Sequence, residues 1–112
     1  MQTPNFLHLS KPRQDLIRLC QRVNYGSILN VQVADGDICL DPPAEVIVDV
    51  RLDADLEQRH ELDFTDFVLP IESCRLLAQI DFLKNGVIEK IVVHEGIPRR
   101  VVLRGPLLEV RT

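Results

Sequence analysis

The sequence predicts an α+β fold, with two helices packed on a mainly antiparallel sheet and built from two similar helix–hairpin units. Each unit has apolar residues at helical spacing, followed by alternating apolar residues that a Gly-containing turn divides. The two units, residues 14–40 and 74–100, align at an offset of sixty residues without a gap. Between them lies an acidic stretch in which valines alternate with polar residues, as in a half-buried strand.

The first unit begins with a helix for which Ser10 is a suitable N-cap. Apolar residues recur at helical spacing up to Val23, and Gly26 is expected to supply the left-handed residue that ends the helix. Residues 28–33 then alternate as a strand. Asp35 and Gly36 both accept the positive φ of a type I′ turn, so a hairpin is expected there, with a short returning strand up to Leu40.

The acidic stretch predicts two further strands, here called the acidic strand pair. Residues 46–52 alternate strictly, with Val46, Val48, Val50 and Leu52 on one face. Leu62, Phe64 and Phe67 form a weaker partner strand. The stretch from Asp41 to Leu69 holds nine acidic residues and two arginines, whereas both flanking segments are slightly basic.

The second unit repeats the order of the first. Pro70 suits the first turn of a helix, and Gly86 is expected to end it. A strand over 87–93, a turn at Gly96 and a return over 97–103 complete the unit. A short last strand is expected over 107–110.

The favoured interpretation of this likeness is an internal duplication, and the alternative is that any helix followed by a hairpin would align similarly. Five of the twenty-one positions in residues 16–36 are identical to those sixty residues later, and both glycines of each unit coincide. Gly26 and Gly86 are predicted at helix ends, and Gly36 and Gly96 at hairpin turns. A unit of this size cannot bury its own apolar face, so it must stack on another copy.

The stretch LIRLCQRVNYGSILNVQVADGDI resembles the small bacterial YezD-like proteins, which have a short helix, an aromatic-Gly-Ser-Ile turn and a Gly-centred hairpin. The matching residues are Tyr25, Gly26, Ser27, Ile28 and Gly36, and the resemblance covers about residues 14–40. It implies a helix-plus-hairpin module in a bacterial cytoplasm. It implies no catalytic residue.

Composition limits the class of protein. A chain of 112 residues with 46% apolar and 27% charged residues fits one soluble globular domain, spanning 1–112. No apolar run approaches the ~20 residues that span a bilayer, and no signal peptide is visible. Three scattered cysteines argue against a disulfide framework and favour the reducing cytoplasm.

The residue types that carry most chemistries lack the required spacing. The cysteines and the three histidines form no close pairs, so no metal site is predicted. No glycine-rich phosphate loop is present, and no cofactor is expected. Catalysis by paired carboxylates, or by a cysteine and a histidine that meet only in the folded chain, stays an open possibility. The simpler interpretation of the acidic residues is that they form the solvated face of a strand. No catalytic residue is assigned.

The candidate binding residues are Arg99, Arg100, Arg104 and Arg111. Two interpretations are open. The arginines could bind phosphates of a nucleic acid, or they could protect an edge strand and meet carboxylates such as Asp49, Asp53 or Asp63. The net charge of -4 and the 4% aromatic content favour the structural interpretation.

The leading hypothesis is a non-enzymatic interaction or regulatory module of the cytoplasm that assembles with itself, as a two-fold dimer, or with a protein partner. The opposed charges of the acidic middle and the basic ends favour such an assembly. A nucleic-acid-binding regulator that uses the arginine cluster is the alternative. A small-ligand binder or an enzyme ranks third.

Overall fold

Two helices lie against one face of a five-stranded antiparallel sheet, which confirms the predicted α+β class. The structure is a computed structural model that describes residues 5–41, 43–53 and 64–105. In chain order the elements are a single 3-10 turn (Phe6–His8), α1 (Lys11–Val23), β1 (Gly26–Ala34), β2 (Asp37–Cys39), β3 (Glu45–Val48), α2 (Ile71–Leu83), β4 (Gly86–His94) and β5 (Ile97–Arg104). No helix of the described ranges is long and apolar enough to cross a membrane.

The antiparallel pair β1–β4 forms the centre of the sheet. Its register runs from Gly26 opposite Val93 to Val33 opposite Gly86. β5 lies beyond β4, and β2 lies beyond the second half of β1, each as the returning strand of a hairpin. β3 pairs with the first half of β1, so β2 and β3 follow one another along the same edge.

The core fills the space between the helices and the inner face of the sheet. Along β1 the alternation of buried and exposed residues is interrupted once, because Ile28 and Val31 are both buried although they lie three positions apart. Asn30, with a φ of 58°, takes the left-handed conformation between them, which asparagine tolerates better than most residues. The strands and helices together bury Leu16, Ile17, Cys20, Val23, Ile28, Val31, Val33, Ile38, Leu76, Leu77, Ile80, Leu83, Ile88, Ile91 and Val93.

Both helices start near the predicted residues but end differently. The Ser10 hydroxyl accepts a hydrogen bond from the Arg13 N–H at 3.4 Å, as expected for the N-cap of α1. The residues with positive φ that end the helices are Asn24 and Lys84, with φ of 62° and 61°, rather than the predicted Gly26 and Gly86.

Gly26 and Gly86 instead open β1 and β4, where a neighbouring strand comes very close. A Cβ atom on Gly26 would lie 1.9 Å from the carbonyl oxygen of Ile47 in β3. A Cβ atom on Gly86 would lie 2.5 Å from the carbonyl oxygen of Arg104 in β5. Backbone atoms cannot yield easily, so these two positions require glycine for the edge strands to pair.

The two hairpin turns lie where they were predicted. Asp35 and Gly36 have φ of 52° and 77°, and the second turn has a positive φ at both Glu95 and Gly96. Each turn also holds the end of the helix in the other half of the chain. The Gly36 N–H donates to the Lys84 carbonyl at 2.9 Å, and the Gly96 N–H donates to the Asn24 carbonyl at 2.9 Å.

The bounds of α1 and α2, and those of β1 and β4, differ by sixty residues, whereas β2 is shorter than β5. The helices have 13 residues each, and the strands β1 and β4 have 9 each. The duplication itself stays a prediction, for which superposition of residues 14–40 on 74–100 is the direct test.

The acidic strand pair does not form among the described residues. β3 ends at Val48, short of the predicted Leu52, and its partner is β1. Phe64 and Phe67 lie outside any strand, and Leu62 lies outside the described residues. The alternation of residues 46–52 therefore indicated a strand but not its partner. The predicted strand over 107–110 also lies outside the described residues.

The segment after residue 63 instead packs on α1 together with the N-terminal turn. The rings of Phe6 and Phe67 stack at 4.9 Å, and the Arg18 guanidinium lies 4.4 Å from the Phe6 ring centroid. Asp66 accepts a hydrogen bond from the Leu7 N–H at 3.0 Å, which lowers the pKa of that carboxyl. Phe6 and Leu69 are buried in the core, so these two segments extend it beside α1.

Candidate interaction surfaces

β3 is an edge strand whose apolar side chains are exposed. The exposed fractions are 40% for Val46, 53% for Ile47 and 49% for Val48, and Val50 just beyond the strand is 48% exposed. One edge of β3 pairs with β1, and no strand in the described part of the chain pairs with the other. A row of valines at an unpaired edge is the usual signature of a site where a further strand adds.

The backbone groups that point away from β1 follow from the hydrogen bonds on the paired side. The Asp49 N–H donates to the Tyr25 carbonyl at 2.7 Å, so the backbone N–H and C=O groups of Asp49 point towards β1. Successive residues of a strand direct their N–H and C=O groups to opposite sides. The groups of Val46 and Val48, and of Val50 where the chain stays extended, therefore point to the free edge.

The side chains of these same valines lie on the helix-bearing face of the sheet. Val46 is opposite Ile28, which is completely buried under the helices, and Val48 is two residues along. Glu45, Ile47 and Asp49 lie on the other face. The sequence predicted this division, but it also predicted that the valine face would be buried, which is wrong for a single chain.

β5, the strand at the other end of the sheet, has a protected edge. Pro98 removes a backbone donor, and Arg99, Arg100 and Arg104 place charge along the strand. Proline and charge both discourage pairing with a further strand. The four residues of β3 include no proline, and their one charged residue is Glu45 at the start of the strand. The edge of β3 is therefore open to a further strand, whereas the edge of β5 is protected.

The arginine cluster is partly paired, but not with the predicted acids. Arg99 reaches Glu72 on α2 at 2.9 Å, and Arg104 reaches Glu89 on β4 at 3.0 Å. The expected partners Asp49 and Asp53 lie elsewhere, and Asp53 pairs with Arg51. Asp63 and Arg111 lie outside the described residues. The cluster is thus tied to its own half of the chain rather than to the acidic middle.

Arg100 shares a shallow cleft with a further arginine that the sequence pattern did not reveal. The cleft, of about 200 Å³, lies between α2 and β5 and is lined by Arg75, Arg99 and Arg100 together with Glu72 and Gln79. Arg75 and Arg100 are both exposed, and neither has an acidic partner among the described residues. No local pattern could link Arg75 to the cluster, because helix and strand meet only in the folded chain.

The cysteines and histidines offer little chemistry in the described ranges. Burial raises the pKa of the Cys20 thiol to about 12, which is the opposite of what a nucleophile needs. Cys39 is exposed and Cys74 is half-buried, and all three thiols are free. The His94 ring packs beside Tyr25 at 6.1 Å. No group of three potential metal ligands occurs among residues 5–41, 43–53 and 64–105.

No protein-family model, curated protein or solved structure matches the chain.

Proposed function

We propose that the protein is a non-enzymatic interaction module that assembles with a second copy of itself along the free edge of β3. One observation supports this most strongly. The valines that the sequence pattern assigns to a buried face are exposed, and they lie on a strand whose outer backbone groups have no partner in the described ranges. A second antiparallel strand satisfies the backbone groups and covers the valines at once.

The compartment is part of the same proposal. All three cysteines are free, and Cys39 is exposed, which suits the reducing cytoplasm better than an oxidising compartment. In this proposal the module assembles without a cofactor, and its function is to offer the surface of the dimer to a protein partner.

A single substitution tests the interface. Val48→Lys places a charge at the centre of the free edge, where the wild-type side chain is already half exposed, so the single chain should fold normally. The wild-type protein should sediment as a dimer at micromolar concentration, and the variant should sediment as a monomer with an unchanged circular dichroism spectrum.

Val102→Lys is the matched control, because Val102 lies on the other edge strand β5 and is 41% exposed. It should leave the dimer intact. A wild-type protein that stays monomeric at all accessible concentrations would overturn the proposal, and so would a dimer that Val102→Lys disrupts and Val48→Lys does not.

A second function, binding of nucleic acid, is favoured by the cleft between α2 and β5. Arg75 and Arg100 are exposed and without acidic partners in the described part of the chain, and guanidinium groups bind phosphate oxygens well. The acidic net charge of -4 opposes non-specific attraction to a polyanion, which is why this function ranks second.

Fluorescence anisotropy with labelled duplex and single-stranded DNA separates the two functions. If the cleft binds nucleic acid, the affinity should fall steeply with salt, and Arg75→Glu with Arg100→Glu should abolish binding. The same change at Arg22, an exposed residue near the end of α1, is the control. Absence of binding by the wild-type protein at low salt would remove this second candidate.

A further inference from the structure

We propose a specific register for this assembly: β3 strands of two copies pair antiparallel, with Val48 of one copy facing Val48 of the other across a two-fold axis. Glu45 of each copy then faces Arg51 of the other. This inference rests on the proposed function and specifies the contacts through which the second copy is recognised.

Hydrogen-bond direction restricts the possible registers. In an antiparallel ladder, the residues that exchange hydrogen bonds must point towards each other. On the free edge of β3 these are Val46, Val48 and Val50, because Asp49 is directed to Tyr25 on the opposite side. Because the chain bends at Leu52 and Asp53, Leu52 does not extend the free edge. Val48 can therefore face Val46, Val48 or Val50 of the second copy, and the odd-numbered residues face one another between these pairs.

Charge selects one of these three registers. When Val48 faces Val46, Glu45 lies opposite Asp49 of the second copy. When Val48 faces Val50, the two Asp49 side chains lie opposite each other. Like charges directly opposite destabilise a strand pair. Only Val48 against Val48 avoids both conflicts, and it places Glu45 opposite Arg51 twice, once on each side of the axis.

A larger shift in the direction of Val46 is also disfavoured. It would bring Val50 onto the Pro42-Pro43 sequence, which donates no backbone hydrogen bond. The selected register instead pairs Val46 with Val50 of the second copy, provided that the chain stays extended through Val50.

The selected register also covers the exposed apolar surface. Val46, Val48 and Val50 share the helix-bearing face, so six valines from two copies come together beside the existing core. The charge pairs form on the opposite face. Burial of valines then provides the driving force for association, while the charges determine the register.

A charge-exchange experiment tests the register. Glu45→Arg and Arg51→Glu should each weaken dimerisation by roughly tenfold, because symmetry changes two cross-strand pairs at once. The double variant should restore the wild-type dissociation constant within about twofold, as measured by sedimentation equilibrium at low salt. Arg22→Glu makes the same charge change as Arg51→Glu at an exposed position on α1 and should have little effect.

Cysteine cross-linking gives an independent test in a Cys39→Ser background. Val48→Cys should form a disulfide-linked dimer under mild oxidation, because the two residues face each other within disulfide reach. Val46→Cys should not, because Val46 of the second copy lies four residues away along the strand, about 13 Å. Cross-linking by Val46→Cys but not by Val48→Cys would overturn the register.

The outcomes distinguish this inference from the function on which it rests. A dimer that Val48→Lys disrupts, but in which the double charge variant is no better than the single variants, leaves the β3 interface standing and rejects the register. A wild-type chain that stays monomeric rejects both.

Discussion

Replacement of Gly26 by alanine should release β3 from the sheet while the rest of the fold survives. The added Cβ atom would lie 1.9 Å from the Ile47 carbonyl oxygen and 2.9 Å from the carbonyl carbon. Real Cβ atoms do not approach backbone atoms so closely, and Gly26 also has a φ of 151°, which side chains disfavour. The strand that blocks the Cβ atom must therefore move.

The loss of stability in Gly26→Ala is set by the cost of the clash and limited by the cost of releasing β3. Overpacking of this kind costs about 1–3 kcal/mol, and an unfavourable φ adds about 1 kcal/mol or more. Release of β3 limits the total, because its valines are already about half exposed and the hydrogen bonds of one short ladder are the main loss. Each such bond contributes about 1 kcal/mol or less. We expect the free energy of unfolding to fall by about 2–3 kcal/mol.

Gly36→Ala is the matched comparison. Gly36 also has a left-handed φ, of 77°, but a Cβ atom added there would meet no other atom within 4 Å. Only the conformational cost of about 1 kcal/mol applies at this position.

Urea denaturation measures the two free energies, and hydrogen exchange locates the change. In Gly26→Ala, the Asp49 amide that donates to Tyr25 should lose its protection, whereas amides in β4 should keep theirs. The reasoning fails if Gly26→Ala is no more destabilising than Gly36→Ala, or if protection of the Asp49 amide is unchanged.

Buried and bridging side chains lead to three further predictions. Arg13→Ala should lower the free energy of unfolding by about 1.5–3 kcal/mol in urea, because this mostly buried guanidinium binds the Gly36 carbonyl at 2.7 Å and also Asp81 on α2. Stability should fall as pH rises from about 9 towards 12, since the folded state keeps the proton on Cys20 that the unfolded chain releases, and Cys20→Ala should remove this part of the slope in pH-dependent denaturation. Iodoacetamide at pH 8 should modify Cys39 in the native protein and leave Cys20 intact, as mass spectrometry of the folded chain will show; equal labelling of both would contradict the described burial.

The parts of the fold that could be predicted from the sequence are those that local chemistry determines. Asp35 and Gly36 form a turn because both accept a positive φ, and no distant residue is needed to explain it. Ser10 caps a helix through its own neighbour. The turn at Glu95 and Gly96 forms for the same reason, whereas the predicted helix end at Gly86 is wrong because Lys84 is the C-cap of α2.

The errors concern contacts between segments far apart in the chain. The alternation of Val46, Val48 and Val50 showed that a strand with one apolar face was present, but β1 became its partner because the hairpins had left that edge open. The sequence predicts a helix end at Gly26, although the need for glycine there comes from Ile47 in another strand.

The candidate site shows the same difference between local features and contacts between distant segments. The sequence placed three arginines on one strand, but their partners come from α2 and β4, which no spacing along the chain reveals. The free edge of β3 could not be predicted from the sequence for a related reason. A pattern records which face of a strand is apolar, whereas exposure depends on whether another strand or helix arrives to cover that face.

The central β1–β4 ladder has a consequence for synthesis on the ribosome. It joins residues that are 53 to 67 positions apart, from Val33 with Gly86 to Gly26 with Val93. The first half of the chain therefore cannot complete its sheet until β4 has emerged. At about 5–20 residues per second, this leaves the edge of β1 that pairs with β4 open for about 3–12 seconds. During that interval the unpaired backbone groups of β1 are available to chaperones, and on polysomes also to the nascent chains of neighbouring ribosomes.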